Sequence, residues 1–234
     1  MRPIGFSTGA IAFSDVRRAV NLLREIPVSA IELSAIRVHE LEPMMAIIDE
    51  LDLSRYAYIS VHAPSRFGPE QEAWIFQLLY ERKHGWPVIV HPDTLYDHSL
   101  WRLLGKSVCV ENMDQRKPIG RTVRELDDCF AQLPEASFCL DLGHARQVDP
   151  SMTEAYLMLK HFGARLAQIH VSDVNSNSEH DPLSFMSILD FQEIASTIPE
   201  EVPAIIESIV PAEQIISEMD RVKRALARKT YVAA

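Results

Sequence analysis

The apolar residues of this chain gather in short runs, and most runs end in a polar side chain. Ile59-Ser60-Val61-His62, Val88-Ile89-Val90-His91, Val108-Cys109-Val110-Glu111, Phe138-Cys139-Leu140-Asp141, Ala167-Gln168-Ile169-His170 and Ala204-Ile205-Ile206-Glu207 share this form. Runs this short, rich in β-branched residues and bounded by polar segments, read as buried strands. Pro3 to Ser7 and Ala30 to Leu33 read the same way. Between the runs the spacing turns helical. Asp15 to Glu25 carries Val16, Ala19, Leu22 and Leu23 on one face, with Ser14 or Asp15 as its N-cap, and Glu40 to Leu51 turns Leu41, Met44, Met45, Ile47 and Ile48 inward. Further helices are predicted from about Glu70 to Lys83, Ser99 to Leu104, Thr122 to Gln132 and Thr153 to His161, and from near Ser184. The last covers Ala212 to Ala227, with Pro211 near its first turn. A polar loop, Ser172 to Pro182, separates the seventh run from the helix after it.

The predicted strand ends fall at 32, 62, 91, 111, 141, 170 and 207. Most steps are close to the roughly 30 residues of one β-α unit. Strands alternating with helices, without a linker or composition break, predict a single α/β domain over residues 1–234. The expected architecture is a closed parallel (β/α)₈ TIM barrel. An open doubly wound sheet seldom needs eight units and places a glycine-rich phosphate turn after its first strand; here that turn is Ser7-Thr8-Gly9-Ala10.

Composition adds exclusions. Hydrophobic residues make up 47% and charged residues 24%, enough to bury a large core, and the formal net charge of -10 opposes long-range attraction to nucleic acid or anionic membrane. No apolar run is long enough to span a bilayer, and Met1-Arg2-Pro3-Ile4 runs straight into a strand, so the cytoplasm is the expected location. Cys109, Cys129 and Cys139 form no CxxC pair. Strand period places Cys109 and Cys139 one layer below Glu111 and Asp141, as packing residues.

In a barrel of this kind the active site lies at the C-terminal ends of the strands. His62, His91, Glu111, Asp141, His170 and Glu207 fall there, with His144 and His180 in the following loops. Inward carboxylates crowded among imidazoles repel one another unless a cation joins them, so a divalent metal centre is expected. His39, His84, His98 and His161 read as solvated or helical residues. Arg66, Arg116, Lys117 and Arg146 lie in loops at the same end, where they could meet an anionic substrate, and Glu32 on the second strand is within reach of the pocket. No strand ends in lysine, which removes a Schiff-base aldolase.

The ordered set Glu111, Asp141 with His144, His170 and Glu207 resembles the xylose-isomerase-like TIM-barrel superfamily, and the resemblance spans nearly the whole chain. That superfamily includes sugar isomerases and epimerases and the apurinic endonucleases of the endonuclease IV type. The epimerase resemblance implies one ion, manganese or zinc, on Glu111, Asp141, His170 and Glu207. The two glutamates would then act as acid and base beside the carbonyl of a small carbohydrate. This is the expected function. The alternative is a zinc phosphoesterase acting on nucleic acid, implied by Val61-His62-Ala63-Pro64 and His91-Pro92. There Glu111 would bridge two ions, and His144 and His180 would hold a third. The acid this pattern expects two residues before His180 is Ser178, leaving Asp181 or Asp173 to replace it. The epimerase pattern also lacks its arginine and glycine-rich turn between Asp173 and Pro182. A non-catalytic ligand-binding barrel is a third class compatible with the same fold.

Overall fold

The computed structural model describes residues 2–82 and 84–228. Eight parallel strands close into a barrel: β1 (Ile4–Ser7), β2 (Ala30–Ser34), β3 (Tyr58–His62), β4 (Val88–Val90), β5 (Val108–Glu111), β6 (Ser137–Asp141), β7 (Leu166–Val171) and β10 (Ala204–Ile206). Each strand pairs with the next, and β10 pairs back onto β1, so no sheet edge is left open. Two short strands, β8 (Asp173–Val174) and β9 (His180–Asp181), form an antiparallel pair in the loop after β7.

Outside the barrel run α1 (Thr8–Ala12), α2 (Val16–Leu23), α3 (Val38–Ile47), α4 (Pro69–Arg82), α5 (His98–Trp101), α6 (Val123–Gln132), α7 (Leu142–Val148), α8 (Thr153–Phe162), α9 (Phe185–Ile194) and α10 (Ile215–Ala225). Their starts follow capping chemistry: Asp15 accepts from Arg18 N at 3.0 Å and Thr122 from Glu125 N at 3.3 Å. The predicted strands and longer helices are present with ends shifted by one or two residues. The helix expected from Glu40 starts earlier, at Val38, and gives way to a 3-10 turn at Ile48–Glu50. The one expected from Ala212 opens with a 3-10 turn, Ala212–Gln214, before α10. Lys83, the expected end of the fourth helix, lies outside the described residues. The helices α1 and α7 and the β8–β9 pair were not expected from the pattern.

Two apolar layers result from strand alternation. The larger fills the space between sheet and helices, with Phe6, Ile31, Leu33, Phe138, Trp101 and Phe191 fully buried. The smaller, Ile89, Cys109 and Cys139 with Ala167 against them, plugs the barrel interior. The two thiols pack one layer beneath the polar cluster, and burial pushes the Cys139 thiol well up, so it stays protonated and unreactive.

Close approach is tightest at Gly5, paired with Ala30 across β1 and β2. A Cβ there would stand 1.7 Å from the Ala30 carbonyl oxygen. Gly5→Ala should therefore cost about 1–3 kcal/mol or more in denaturant unfolding. Gly163→Ala, with helical backbone and nothing within 4 Å of its added Cβ, should be neutral or stabilising by about 0.4–1 kcal/mol. Equal effects would contradict the packing read from the barrel.

Candidate metal centre

Register brings the polar strand ends to one place. Asp141 sits directly beside His170 across β6 and β7, while Glu111 leaves β5 one pair further round the barrel. Beyond the last rungs the chain is held by side chains. Asn112 accepts from Asp141 N at 2.7 Å and donates to Asp141 O at 3.0 Å, extending the β5–β6 ladder. Its role is thus to fix the Asp141 backbone. Asp141 in turn caps α7, accepting from His144 N at 2.6 Å, and this short helix is what delivers the His144 ring. His180 arrives on β9, tied to the far side of the mouth by Ile209 N donating to its carbonyl at 2.9 Å.

Glu111 lies at the centre, 1% exposed, with its two oxygens divided between two groups of histidines. Oε2 faces His62 Nε2 at 3.2 Å and His91 Nε2 at 3.3 Å. Oε1 faces His170 Nδ1 at 3.0 Å and His144 Nδ1 at 3.4 Å. From His170 Nδ1 it is 3.4 Å to Glu207 Oε2 and 3.9 Å to Asp141 Oδ2. Four overlapping ligand sets result, each with donor atoms within 4.8 Å of one another: His62, His91 and Glu111; Glu111, Asp141, His170 and Glu207; Asp141, His144 and His180; and, one layer deeper, Glu32, His62, His170 and Glu207. All eight sequence-predicted residues are therefore gathered at one end of the barrel.

The third set does not use the acids expected to replace the one missing at Ser178. Asp173 is held by Arg146 at 2.9 Å, and Asp181 is exposed, bonded to Asn175 at 2.9 Å. Ser178 itself adopts a positive φ of 52° and bonds to Gln147. Asp141 stands in instead, and its Oδ2 is buried without a hydrogen-bond partner. An unpaired buried carboxylate oxygen aimed among imidazoles is what a cation would satisfy, and a mixed nitrogen and oxygen donor set suits zinc or manganese.

The crowded charges shift one another's protons. Burial pulls the His62 pKa down, but the hydrogen bond to Glu111 and the nearby carboxylates outweigh it and raise it to about 9. His170 and His144 are raised in the same way, against burial, by carboxylates that include Glu207, Glu111 and Asp141. Burial lowers His91, and burial with the neighbouring His144 brings His180 to about 4. Glu207 is pushed up to about 8 by burial and by Glu111 and Asp141, against the pull of His170.

Above the cluster opens a cavity of about 260 Å³, with Ser7, Ser34, Arg66, Asp114 and Ile209 on its walls. Three of the four loop cations are committed to structure. Arg116 binds Asp114 and the carbonyls of Asn177 and Ser178, Lys117 binds Asp93 and Ser65 O, and Arg146 binds Asp173 and Asp190. Arg66 alone of the four is exposed at the mouth without such a partner among the described residues. Sequence reading missed Ser60 and Gln168, which surround Glu32 below the cluster. Each lies two residues before a strand-end histidine, so strand period was the available signal.

No family model and no curated protein matches the chain. Solved structures do. A 3-keto-D-glucoside 4-epimerase from E. coli superposes with a TM-score of 0.60 at 14% identity, covering 96% of this chain and 99% of that one. A xylose isomerase domain protein from Alicyclobacillus acidocaldarius gives 0.69 at 11% identity, with 97% and 98% covered. Endonuclease IV from Thermus thermophilus gives 0.61 at 20% identity, with 96% and 98% covered. At such identities the likeness concerns the fold alone, the closed parallel (β/α)₈ barrel.

Two outcomes follow from the geometry. Asp141→Asn keeps the α7 cap but removes the unpaired charge, and should weaken zinc binding at least tenfold in a chelator competition, as expected for a lost ligand; unchanged affinity would remove Asp141 from the centre. Stability in chelator should fall as pH rises from about 6.5 to about 9. In that window the folded chain keeps protons on His62, His144, His170 and Glu207 that the unfolded chain, with ordinary values of 6.5 and 4.5, has released. Saturating zinc should abolish the decline, and a rise in chelator would contradict the charge assignment.

Proposed function

We propose that the protein is a divalent-metal-dependent hydrolase of phosphate esters, acting on a small-molecule substrate. The observation that carries this reading is the division of the Glu111 carboxylate between the His62–His91 side and the His170–His144 side. Such a carboxylate suits a bridge between two cations, held by His62, His91 and Glu111 on one side and by Glu111, Asp141, His170 and Glu207 on the other. His144 and His180, with Asp141, would hold a third. When bound, paired divalent ions polarise a phosphoryl oxygen and neutralise the charge that develops in displacement.

The chain's own residues then have distinct tasks. Glu207, 14% exposed and raised to about 8, faces the cavity carrying a proton at neutral pH and can give it to the departing alkoxide. As the new phosphorus–oxygen bond forms and the ester bond breaks, the proton released by the attacking water leaves through the cavity to solvent and the Glu207 carboxyl is then reprotonated. Arg66 at the mouth is placed to meet the anionic substrate. Both Glu111 oxygens face imidazoles, so neither is turned toward a substrate proton. That disfavours the two-glutamate proton shuttle of the epimerase reading. The size of the cavity and the net charge of -10 favour a small substrate over duplex DNA, which demands many phosphate contacts.

A second reading, a sugar isomerase or epimerase, is favoured by one feature: Glu207 lies across two intervening strands from Glu111 and has a pKa suited to moving a proton next to a carbonyl. The two readings separate in one pair of assays. The zinc- or manganese-loaded protein should cleave a chromogenic phosphate ester, and Glu207→Gln should abolish cleavage. Deuterium entering a ketose from heavy water, without release of alcohol from any phosphate ester, would overturn the hydrolase reading in favour of the isomerase.

A further inference from the structure

Glu32 lies within ligand distance of His62, His170 and Glu207, yet none of these tasks uses it. Glu32, on β2, is wholly buried. Its Oε2 accepts from Ser60 Oγ at 3.0 Å and Gln168 Nε2 at 2.8 Å, and lies 3.1 Å from His170 Nε2; its Oε1 is buried with no partner. Burying a carboxylate with an oxygen unpaired is costly, so what Glu32 does to its neighbours matters. Among the described residues, His170 is the one imidazole it hydrogen-bonds. We infer that Glu32 is a positioning residue that holds the His170 proton on Nε2, leaving Nδ1 as the lone pair that faces Glu111, Asp141 and Glu207.

The inference rests on the metal reading and turns on a competition at one nitrogen. Gln168 Nε2 also lies 2.7 Å from His170 Nε2. Its orientation is set by Glu32, whose acceptor-only oxygen at 2.8 Å takes the amide N–H, leaving Gln168 Oε1 to accept from Tyr58 Oη at 2.6 Å. For the neutral ring that a cation requires, two arrangements are open. If Gln168 donates into His170 Nε2, the ring proton must sit on Nδ1 and points at Glu111, where it blocks a cation. If His170 donates from Nε2 to Glu32, Nδ1 is bare and can ligate. Only an acceptor beside Nε2 selects the second arrangement, and Glu32 is that acceptor. Its negative charge also makes the imidazole a stronger donor of electron density to an ion on the far nitrogen.

Glu32 and Gln168 should thus act with opposite sign, which a merely structural polar cluster would not do. Zinc affinity, measured by competition with a chromophoric chelator, should fall about 10–100-fold in Glu32→Leu and less in Glu32→Gln, whose amide oxygen still accepts. Gln168→Leu should bind at least as tightly as wild type. Nitrogen-15 NMR of histidine-labelled, zinc-loaded protein should show His170 protonated on Nε2 in wild type and in Glu32→Gln. A proton on Nδ1 in wild type overturns the inference, and this decides the matter even if Glu32→Leu fails to fold. So does affinity in both Glu32 variants within about twofold of wild type, or a loss in Gln168→Leu equal to theirs. Wild-type protein that binds no divalent ion overturns the metal reading and this inference together.

Discussion

The carboxylates of Glu32, Glu111, Asp141 and Glu207 converge inside the top of the barrel with almost no access to water. Mutual repulsion at low dielectric makes that arrangement untenable unless positive charge is placed among them. In the protein alone, protons on His62, His144 and His170 supply it. Divalent cations would supply it better, since each brings two charges to a point that several oxygens share. The same constraint accounts for the raised Glu207, the depressed Glu111 and the buried Asp141 oxygen without a partner.

The barrel makes this crowding possible because six of the ligands stand at the ends of six successive strands, with His144 on α7 and His180 on β9, and a closed sheet cannot relax by splaying. Below the charged layer, Ile89, Cys109 and Cys139 fill one side of the interior with apolar atoms, while Ser60 and Gln168 hold Glu32 on the other. Above it, ion pairs lash the loops to one another: Arg116 joins the loop after β5 to the β8–β9 turn, and Lys117 joins it to the loops after β3 and β4. These cations hold the walls of the mouth in place, which leaves Arg66 as the charge free to act on what enters.

Much of this was legible in the sequence, for a physical reason. A strand buried on both faces has an apolar body, so a polar residue at its C-terminal end stands out, and period two assigns Cys109 and Cys139 to the layer beneath. What escaped notice was short or depended on tertiary partners. The helix α1 has five residues and α7 seven, too few for a periodic stripe, and α7 exists because Asp141 caps it. The β8–β9 pair has two residues per strand, joined by a turn that Asn175 stabilises. The exchange of Asp141 for the acid absent at Ser178 could not be read from spacing, because it depends on where the β6 end points in space.

The position of Glu111 also shifts the balance between the two chemistries expected from sequence. A carboxylate serving as a free base needs an oxygen available to substrate, whereas here both are occupied by imidazoles from four separate segments. That geometry suits the bridge proposed for it. X-ray absorption fine structure of the zinc-loaded protein tests this most directly. The account predicts a metal–metal scattering path at about 3.5–4 Å, the spacing of paired hydrolytic centres. A spectrum explained by nitrogen and oxygen shells alone, around a single ion, would contradict it.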